Sequence, residues 1–243
     1  MTSGTLFCFA HRGYQRSASE NTLQAIEHAM ELAVVGIEID IWNIGGQLLV
    51  THDRRLGRLQ PGRELITDMC AEALRKRPLP CGNTIPILQE VLELVGDRAQ
   101  LNIELKGPNC ANLFAQEVRA FVIDKGATFD QYIVSSFDQR QLYECLCLLP
   151  EVRRGVIILG VPLDLATCAT PLKAYSLHTA LDFLNTDLLA DAKQRGLKNY
   201  IFTVNEPDDL ILLAEQGIDG VFTDKPQMVL DFNARILASK AAG

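Results

Sequence analysis

The sequence predicts an α/β fold, a (β/α)8 TIM barrel with one extra antiparallel strand that forms a hairpin after the second strand. Three observations carry this reading. Short apolar runs alternate with helical patterns along the whole chain, as βα units around a parallel sheet do. One pair of runs is separated only by Ile44-Gly45-Gly46, too short for a parallel crossover, so that pair must be a hairpin. The length, 243 residues, with no linker or shift of composition, is that of one such barrel.

In chain order, strand-like runs occupy 6–10, 36–41, 47–51, 100–105, 132–136, 155–159, 175–178, 199–204 and 220–223. Helical patterns lie near 22–35, 86–95, 110–125, 138–148, 163–173, 186–195, 207–216 and 226–238. Several carry start signals: Asn21-Thr22 for the first, Asn205-Glu206-Pro207 for the seventh and Asp224-Lys225-Pro226 for the eighth. Gly196 and Gly217 stand where two helices should end. Setting the run 47–51 aside as the antiparallel return leaves eight parallel strands and eight helices, so residues 1–243 are expected to form a single domain. The segment 54–85, punctuated by Pro61, Gly62, Pro78, Pro80 and Gly82, is expected to be a surface excursion from it.

Composition narrows the function classes. With 48% hydrophobic and 22% charged residues the chain is globular. A formal charge of −7 supplies no chain-wide basic footprint, so no nucleic-acid partner is expected. No apolar run is long enough to span a bilayer, so no stable membrane insertion is expected. The start, MTSGTLFCFAHRG, lacks the basic stretch and long apolar run of an export signal. The seven cysteines are irregularly spaced and odd in number, which fits reduced thiols, most of them core residues, in a cytoplasmic protein. Cys145-x-Cys147 lies in a helical stretch, where the two side chains diverge.

The chemistry is expected where the barrel strands end. The first strand ends in His11-Arg12-Gly13, the second carries Glu38-Ile39-Asp40, and the return strand ends in His52-Asp53. The next ends in Glu104-Leu105-Lys106, and a later one in His178. Glu38 and Asp40, two apart on a strand, face one side, and Glu104 adds a third carboxylate from the neighbouring strand. Three carboxylates in one pocket repel each other unless a cation lies among them, and all-oxygen ligation suits one divalent cation, Mg2+ or Ca2+. A cytoplasmic setting favours Mg2+. The competing reading is a structural charge network in which Glu38 and Asp40 pair with Arg12 and Lys106.

The hairpin places 39–41 across from 50–52, and so His52 beside Asp40. His11 and His52 then flank the carboxylates, an arrangement suited to acid–base work on a phosphate ester. Arg12 and Lys106 supply local positive charge for an anion. His178 is open between a substrate contact and a satisfied barrel-end residue.

With these motifs in place, the sequence resembles the glycerophosphodiester phosphodiesterase family. The similarity runs through His11-Arg12-Gly13, Ser19-Glu20-Asn21-Thr22, Glu38-Ile39-Asp40, His52-Asp53, Glu104-Leu105-Lys106, Ser136-Phe137, Thr203-Val204-Asn205 and Gly217-Ile218-Asp219-Gly220 through Pro226. The resemblance implies metal-dependent hydrolysis of glycerophosphodiesters to glycerol 3-phosphate and an alcohol. It implies Glu38, Asp40 and Glu104 as metal ligands, His11 and His52 as acid–base pair, and Arg12 and Lys106 on the phosphate. By analogy, the substrate's 2-hydroxyl attacks first and gives a cyclic phosphate that water opens.

Three departures from the family pattern stand out. Ser19 replaces a usual proline, Phe202 stands where many members have Trp, and the segment after Asp53 keeps an Arg but lacks a Thr-rich continuation. The last bears on head-group preference. Two alternatives compete. A lysophospholipase D-type enzyme needs apolar loops at the site mouth, whereas 54–85 is rich in Arg and Pro. A non-catalytic phosphodiester-binding barrel should lack a histidine or a carboxylate, and here all are present. Oligomeric state is not legible.

Overall fold

A computed structural model describes residues 4–241. Nine strands are present: β1 (Phe7–Ala10), β2 (Gly36–Ile44), β3 (Gln47–Val50), β4 (Gln100–Leu105), β5 (Tyr132–Ser136), β6 (Arg153–Ile158), β7 (Ser176–Ala180), β8 (Lys198–Phe202) and β9 (Gly220–Thr223). The helices are α1 (Leu23–Glu31), α2 (Ala71–Arg75), α3 (Leu88–Val95), α4 (Ala111–Lys125), α5 (Gln139–Leu148), α6 (Thr186–Gln194), α7 (Pro207–Glu215) and α8 (Pro226–Ala241). The sheet runs β1-β9-β8-β7-β6-β5-β4-β2 and closes through a parallel β1–β2 pairing, while β3 pairs antiparallel with β2 outside the ring. This is the expected eight-stranded parallel barrel with one return strand.

The hairpin register is also as expected. Ile41 faces Val50 and Ile44 faces Gln47, with Gly45 and Gly46 at φ 59° and 87° making the reversal. Two successive positive φ values match the twist of a two-residue hairpin, and glycine adopts them without a Cβ clash.

Strand alternation separates two environments. Ile37, Ile39 and Ile41 of β2 face outward into the apolar layer shared with α1, α3 and α4, while Glu38 and Asp40 point into the barrel. The lower interior is filled by Phe9, Ile133, Tyr200 and Phe222, with Phe9 stacked on Phe222 at 4.7 Å between ring centroids. Aromatic packing closes the barrel floor, and the polar residues stand above it.

Two expectations about elements need correction. The segment 163–173 is not an α-helix; only a single 3-10 turn, Thr167–Ala169, forms there. Pro171 removes an amide donor and its ring clashes with the preceding turn, so an α-helix cannot propagate. Buried Arg154 of β6 takes over part of the satisfaction, donating to the carbonyls of Leu172 and Lys173. The eighth helix is instead α2, inside the excursion. That excursion is more than an irregular surface segment. Ile66, Leu74, Leu79 and Ile85 form an apolar cluster with Trp42, Ile44 and Leu49 of the hairpin.

The cysteines also differ from expectation: all seven are free thiols, but only Cys8, Cys110 and Cys145 are fully buried. Cys145 faces the core and Cys147 the solvent, as helical spacing requires. Among the described residues, no helix is long and apolar enough to cross a membrane.

Candidate active site

The site is built on the C-terminal ends of β1, β2 and β4 and on the residues following β3. After β1 the chain turns sharply. Arg12 has φ 59° and Gly13 φ 80°, and an added Cβ at Gly13 would lie 2.7 Å from the Ala25 backbone carbon of α1. Only glycine permits that approach. The turn aims the Arg12 amide at Glu38 Oε2, 3.0 Å away, and sets its guanidinium against the carboxylates of Glu20 and Asp40 at 2.9 and 3.3 Å. A positive φ at a non-glycine residue held by such contacts is characteristic of functional sites.

Glu38, Asp40 and Glu104 converge as the strand pattern requires, since Asp40 and Glu104 are register partners across β2 and β4. One oxygen from each lies within 4.8 Å of the others. Glu38 Oε1, Asp40 Oδ1 and Glu104 Oε1 are buried and accept no hydrogen bond. Lys106 Nζ lies 3.0 Å from Glu104 Oε1 and 3.9 Å from Asp40 Oδ1, ion-pair distances without hydrogen-bond alignment. The charge network with Arg12 and Lys106 therefore exists, yet Glu38 Oε1 meets no donor, and Lys106 reaches Asp40 Oδ1 and Glu104 Oε1 only as an ion pair. Burial, then repulsion from Asp40 and Glu104, pushes Glu38 well above the usual carboxylate range. Burial, then Asp40, pushes Glu104 up to about 7. Buried acceptors without donors are costly, and a hard cation is the partner that three such oxygens fit.

The two histidines stand on opposite flanks of this cluster. His11 Nδ1 donates to Asp224 Oδ1 at 2.8 Å, and its Nε2 accepts from Arg12 Nε at 3.2 Å, 4.0 Å from Glu38 Oε2. Asp224 is itself held by Asn205 Nδ2 at 2.7 Å. His52 Nδ1 donates to Asp53 Oδ1 at 2.8 Å, and its carbonyl accepts from Trp42 Nε1 at 3.1 Å. Burial lowers the His52 pKa, against the opposing pull of Asp40. In each pair the carboxylate fixes one ring nitrogen and so determines which nitrogen meets a ligand.

A cavity of about 210 Å³ opens above, lined among others by His11, Arg12, His52, Glu104, Lys106 and Phe137. His178 belongs to its floor. It is 1% exposed, shares a 2.8 Å hydrogen bond with Ser176 Oγ, and burial lowers its pKa to about 3. It faces the cavity as a neutral imidazole, able to hydrogen-bond but not to supply charge. One wall is apolar: Phe137 and Phe202 meet edge to face at 6.2 Å.

All eight residues singled out from the sequence thus border or underlie one cavity. Four others were not singled out as site residues. Asn21, with φ 56°, donates to Asp40 Oδ2 at 2.8 Å and accepts from the Asp40 amide. Asp224 and Asp53 orient the histidines, and Arg58 bonds Glu20 and Asp53. A signal was available for the first, because Asn21 stands in the same short motif as the helix-capping Thr22; its side chain reads as a cap until the fold brings it to β2.

Comparison with known proteins agrees with this geometry. Residues 11–228 match the model of the glycerophosphoryl diester phosphodiesterase family. The chain is 30% identical over 231 residues to a glycerophosphodiester phosphodiesterase of Caldanaerobacter subterraneus subsp. tengcongensis, covering 91% of this chain and 95% of that one. It is 31% identical over 237 residues to one of Bacillus altitudinis, covering 90% and 94%. Among solved structures, an Oleispira antarctica phosphodiesterase in complex with the product sn-glycerol-3-phosphate superposes with a TM-score of 0.83 at 27% identity, covering 92% of this chain and 95% of that one. The chain belongs to the glycerophosphoryl diester phosphodiesterase family and is an enzyme of that class.

Proposed function

We propose that this enzyme hydrolyses small glycerophosphodiesters to glycerol 3-phosphate and an alcohol, with Glu38, Asp40 and Glu104 holding one divalent cation and His11 and His52 exchanging protons. The observation that carries this reading is the triad of buried carboxylate oxygens without donors, bordered by two carboxylate-oriented imidazoles. When bound, the cation supplies Lewis acidity toward phosphoryl and hydroxyl oxygens. Arg12 and Lys106 draw the phosphodiester into an otherwise acidic protein, Arg12 through its fork and Lys106 as a point charge.

His52 is the base in this scheme. Its lowered pKa keeps it neutral near pH 7, and with Nδ1 donating to Asp53 the lone pair on Nε2 is free to take a proton from the attacking hydroxyl. That hydroxyl belongs to water or to the substrate's own 2-position. His11, pinned by Asp224 on Nδ1, is the acid in its doubly protonated form, in which Nε2 no longer accepts from Arg12 Nε and gives its proton to the departing alcohol oxygen. His178 offers a neutral hydrogen bond from the floor. The hard all-oxygen donor set admits Mg2+ or Ca2+, and a cytoplasmic setting, proposed with it, favours Mg2+.

Enzyme-coupled detection of glycerol 3-phosphate tests the reading, using glycerophosphocholine, glycerophosphoethanolamine and glycerophosphoglycerol. Release from at least one supports it, and release from none refutes it.

A second reading, action on phosphodiesters that carry an acyl chain, is favoured by one observation. Apolar loops at the site mouth are absent from the excursion but present across the barrel. Phe137, Leu159, Val161, Leu163 and Phe183, on the segments after β5, β6 and β7, are each at least 40% exposed, and Leu163 fully so. Phe137 also lines the cavity, and the others follow the strands whose ends surround it. Turnover of lysophosphatidylcholine at a rate comparable to glycerophosphocholine supports this reading.

A further inference from the structure

The excursion between β3 and α3 brings one side chain back to the site. Arg58 sits on a tight loop in which Leu56 donates its amide to Glu64 and Gly57 to Gln60, while Arg55 and Leu65 form a bridge. Gly57 and Gly62 take φ 129° and 136°, values that favour glycine, and Gln60 anchors the loop from inside by donating to the Arg77 carbonyl at 2.8 Å. The loop is therefore held in one shape by its own contacts. From it Arg58 extends in two directions. Nη1 and Nη2 fork onto both oxygens of Glu20 at 2.6 and 2.5 Å, and Nε donates to Asp53 Oδ2 at 2.6 Å.

Each partner of Arg58 is one bond from the proposed machinery. Glu20 Oε1 also accepts from Arg12 Nη1 at 2.9 Å, and Asp53 Oδ1 accepts from His52 Nδ1 at 2.8 Å. Glu20 is only 6% exposed, so its contact with buried Arg12 is poorly screened, and that with half-exposed Arg58 is less screened than an ordinary surface ion pair. We propose that Arg58 is a positioning residue for the reaction, fixing the His52 ring through Asp53 and the Arg12 guanidinium through Glu20. This assignment rests on the proposed roles of His52 and Arg12. Without Arg58, Asp53 is free to rotate away from His52, and Glu20 is left to Arg12 alone. The excursion thereby carries the bridge that couples the base to the phosphate anchor.

The two branches separate by kinetics. Arg58→Ala is expected to lower kcat by on the order of 10- to 100-fold, the scale of a small misplacement of catalytic groups, and to raise KM several-fold. Asp53→Asn is expected to act mainly on kcat, and Glu20→Gln mainly on KM. Arg58→Lys keeps the charge but cannot fork across two carboxylates, so it should recover part of the loss. Millimolar guanidinium chloride should likewise partly restore Arg58→Ala, which a merely structural defect would not allow. Arg58→Ala removes two bonds to buried Glu20 and should also lower the melting temperature, so rescue of kcat by guanidinium, measured well below that temperature, separates positioning from stability. Wild-type kinetics in Arg58→Ala, or a loss that neither lysine nor guanidinium relieves, overturns the proposal. If Arg58→Ala does not fold, Asp53→Asn and Glu20→Gln decide, and wild-type kinetics in both overturn it. A wild-type enzyme that releases no glycerol 3-phosphate contradicts the proposed function instead.

Discussion

Replacing Glu104 with Gln in the metal-free protein isolates the energetic strain of the carboxylate cluster. In the folded chain burial and Asp40 push Glu104 from the usual 4.5 to about 7. A raised acidic pKa means that the folded state holds its proton more tightly than the unfolded chain. The stabilisation is complete below pH 4.5 and is lost as pH rises through about 7. At 1.36 kcal/mol per unit, the full loss is about 3 kcal/mol. Buried His178 and half-buried His52, with lowered pKa values, work in the opposite direction as pH falls below that of a free imidazole. The wild-type pH profile alone therefore mixes two signs. The difference between wild type and Glu104→Gln does not. In EDTA the variant should match wild type at pH 4 and exceed it at pH 8 by about 3 kcal/mol, or about 6–12 °C in melting temperature for a chain of this size. Thermal melts at the two pH values measure it. A difference that is flat with pH, or a variant less stable at pH 8, refutes the argument that Glu104 is held as an electrostatically strained ligand.

Other substitutions test other links. His52→Ala should lower kcat by about 100- to 10,000-fold with the fold intact; near wild-type turnover contradicts its role as base. His11→Ala should lose less activity on glycerophospho-p-nitrophenol, whose leaving group needs no proton, than on glycerophosphocholine; equal losses contradict its role as acid. Gly13→Ala forces a Cβ to 2.7 Å from the Ala25 backbone and should cost about 2–4 kcal/mol, readable by urea denaturation. Leu163→Asp, on the apolar rim, should lower turnover of lysophosphatidylcholine several-fold and leave glycerophosphocholine unchanged, whereas parallel changes in both argue against an acyl-chain contact there.

The barrel and most of the candidate site's geometry were legible because both obey short-range rules. The period-two pattern of β2 places Glu38 and Asp40 on one face, and the Gly45-Gly46 turn sets the register that brings the segment after β3 to the site. What sequence rules missed depends on long-range contacts. Pro171 should have argued against a helix over 163–173, yet the apolar spacing there imitates one. Asn21 and Arg58 bond partners 19 and 38 residues away, so their local neighbourhoods describe only a cap and a basic loop. The apolar rim was sought in the excursion, whose composition is conspicuous, but it is assembled from segments after three separate strands, each too short to stand out alone.

In the proposed reaction Glu38, Asp40 and Glu104 hold a divalent cation that the hydrolysis requires. The most direct measurement is glycerol 3-phosphate release from glycerophosphocholine by enzyme stripped with EDTA and then titrated with Mg2+ or Ca2+, for wild type and Glu104→Gln. Activity should be lost on stripping, return with the ion in wild type, and return little in Glu104→Gln. Full activity in stripped wild-type enzyme, or equal recovery in both proteins, would contradict it.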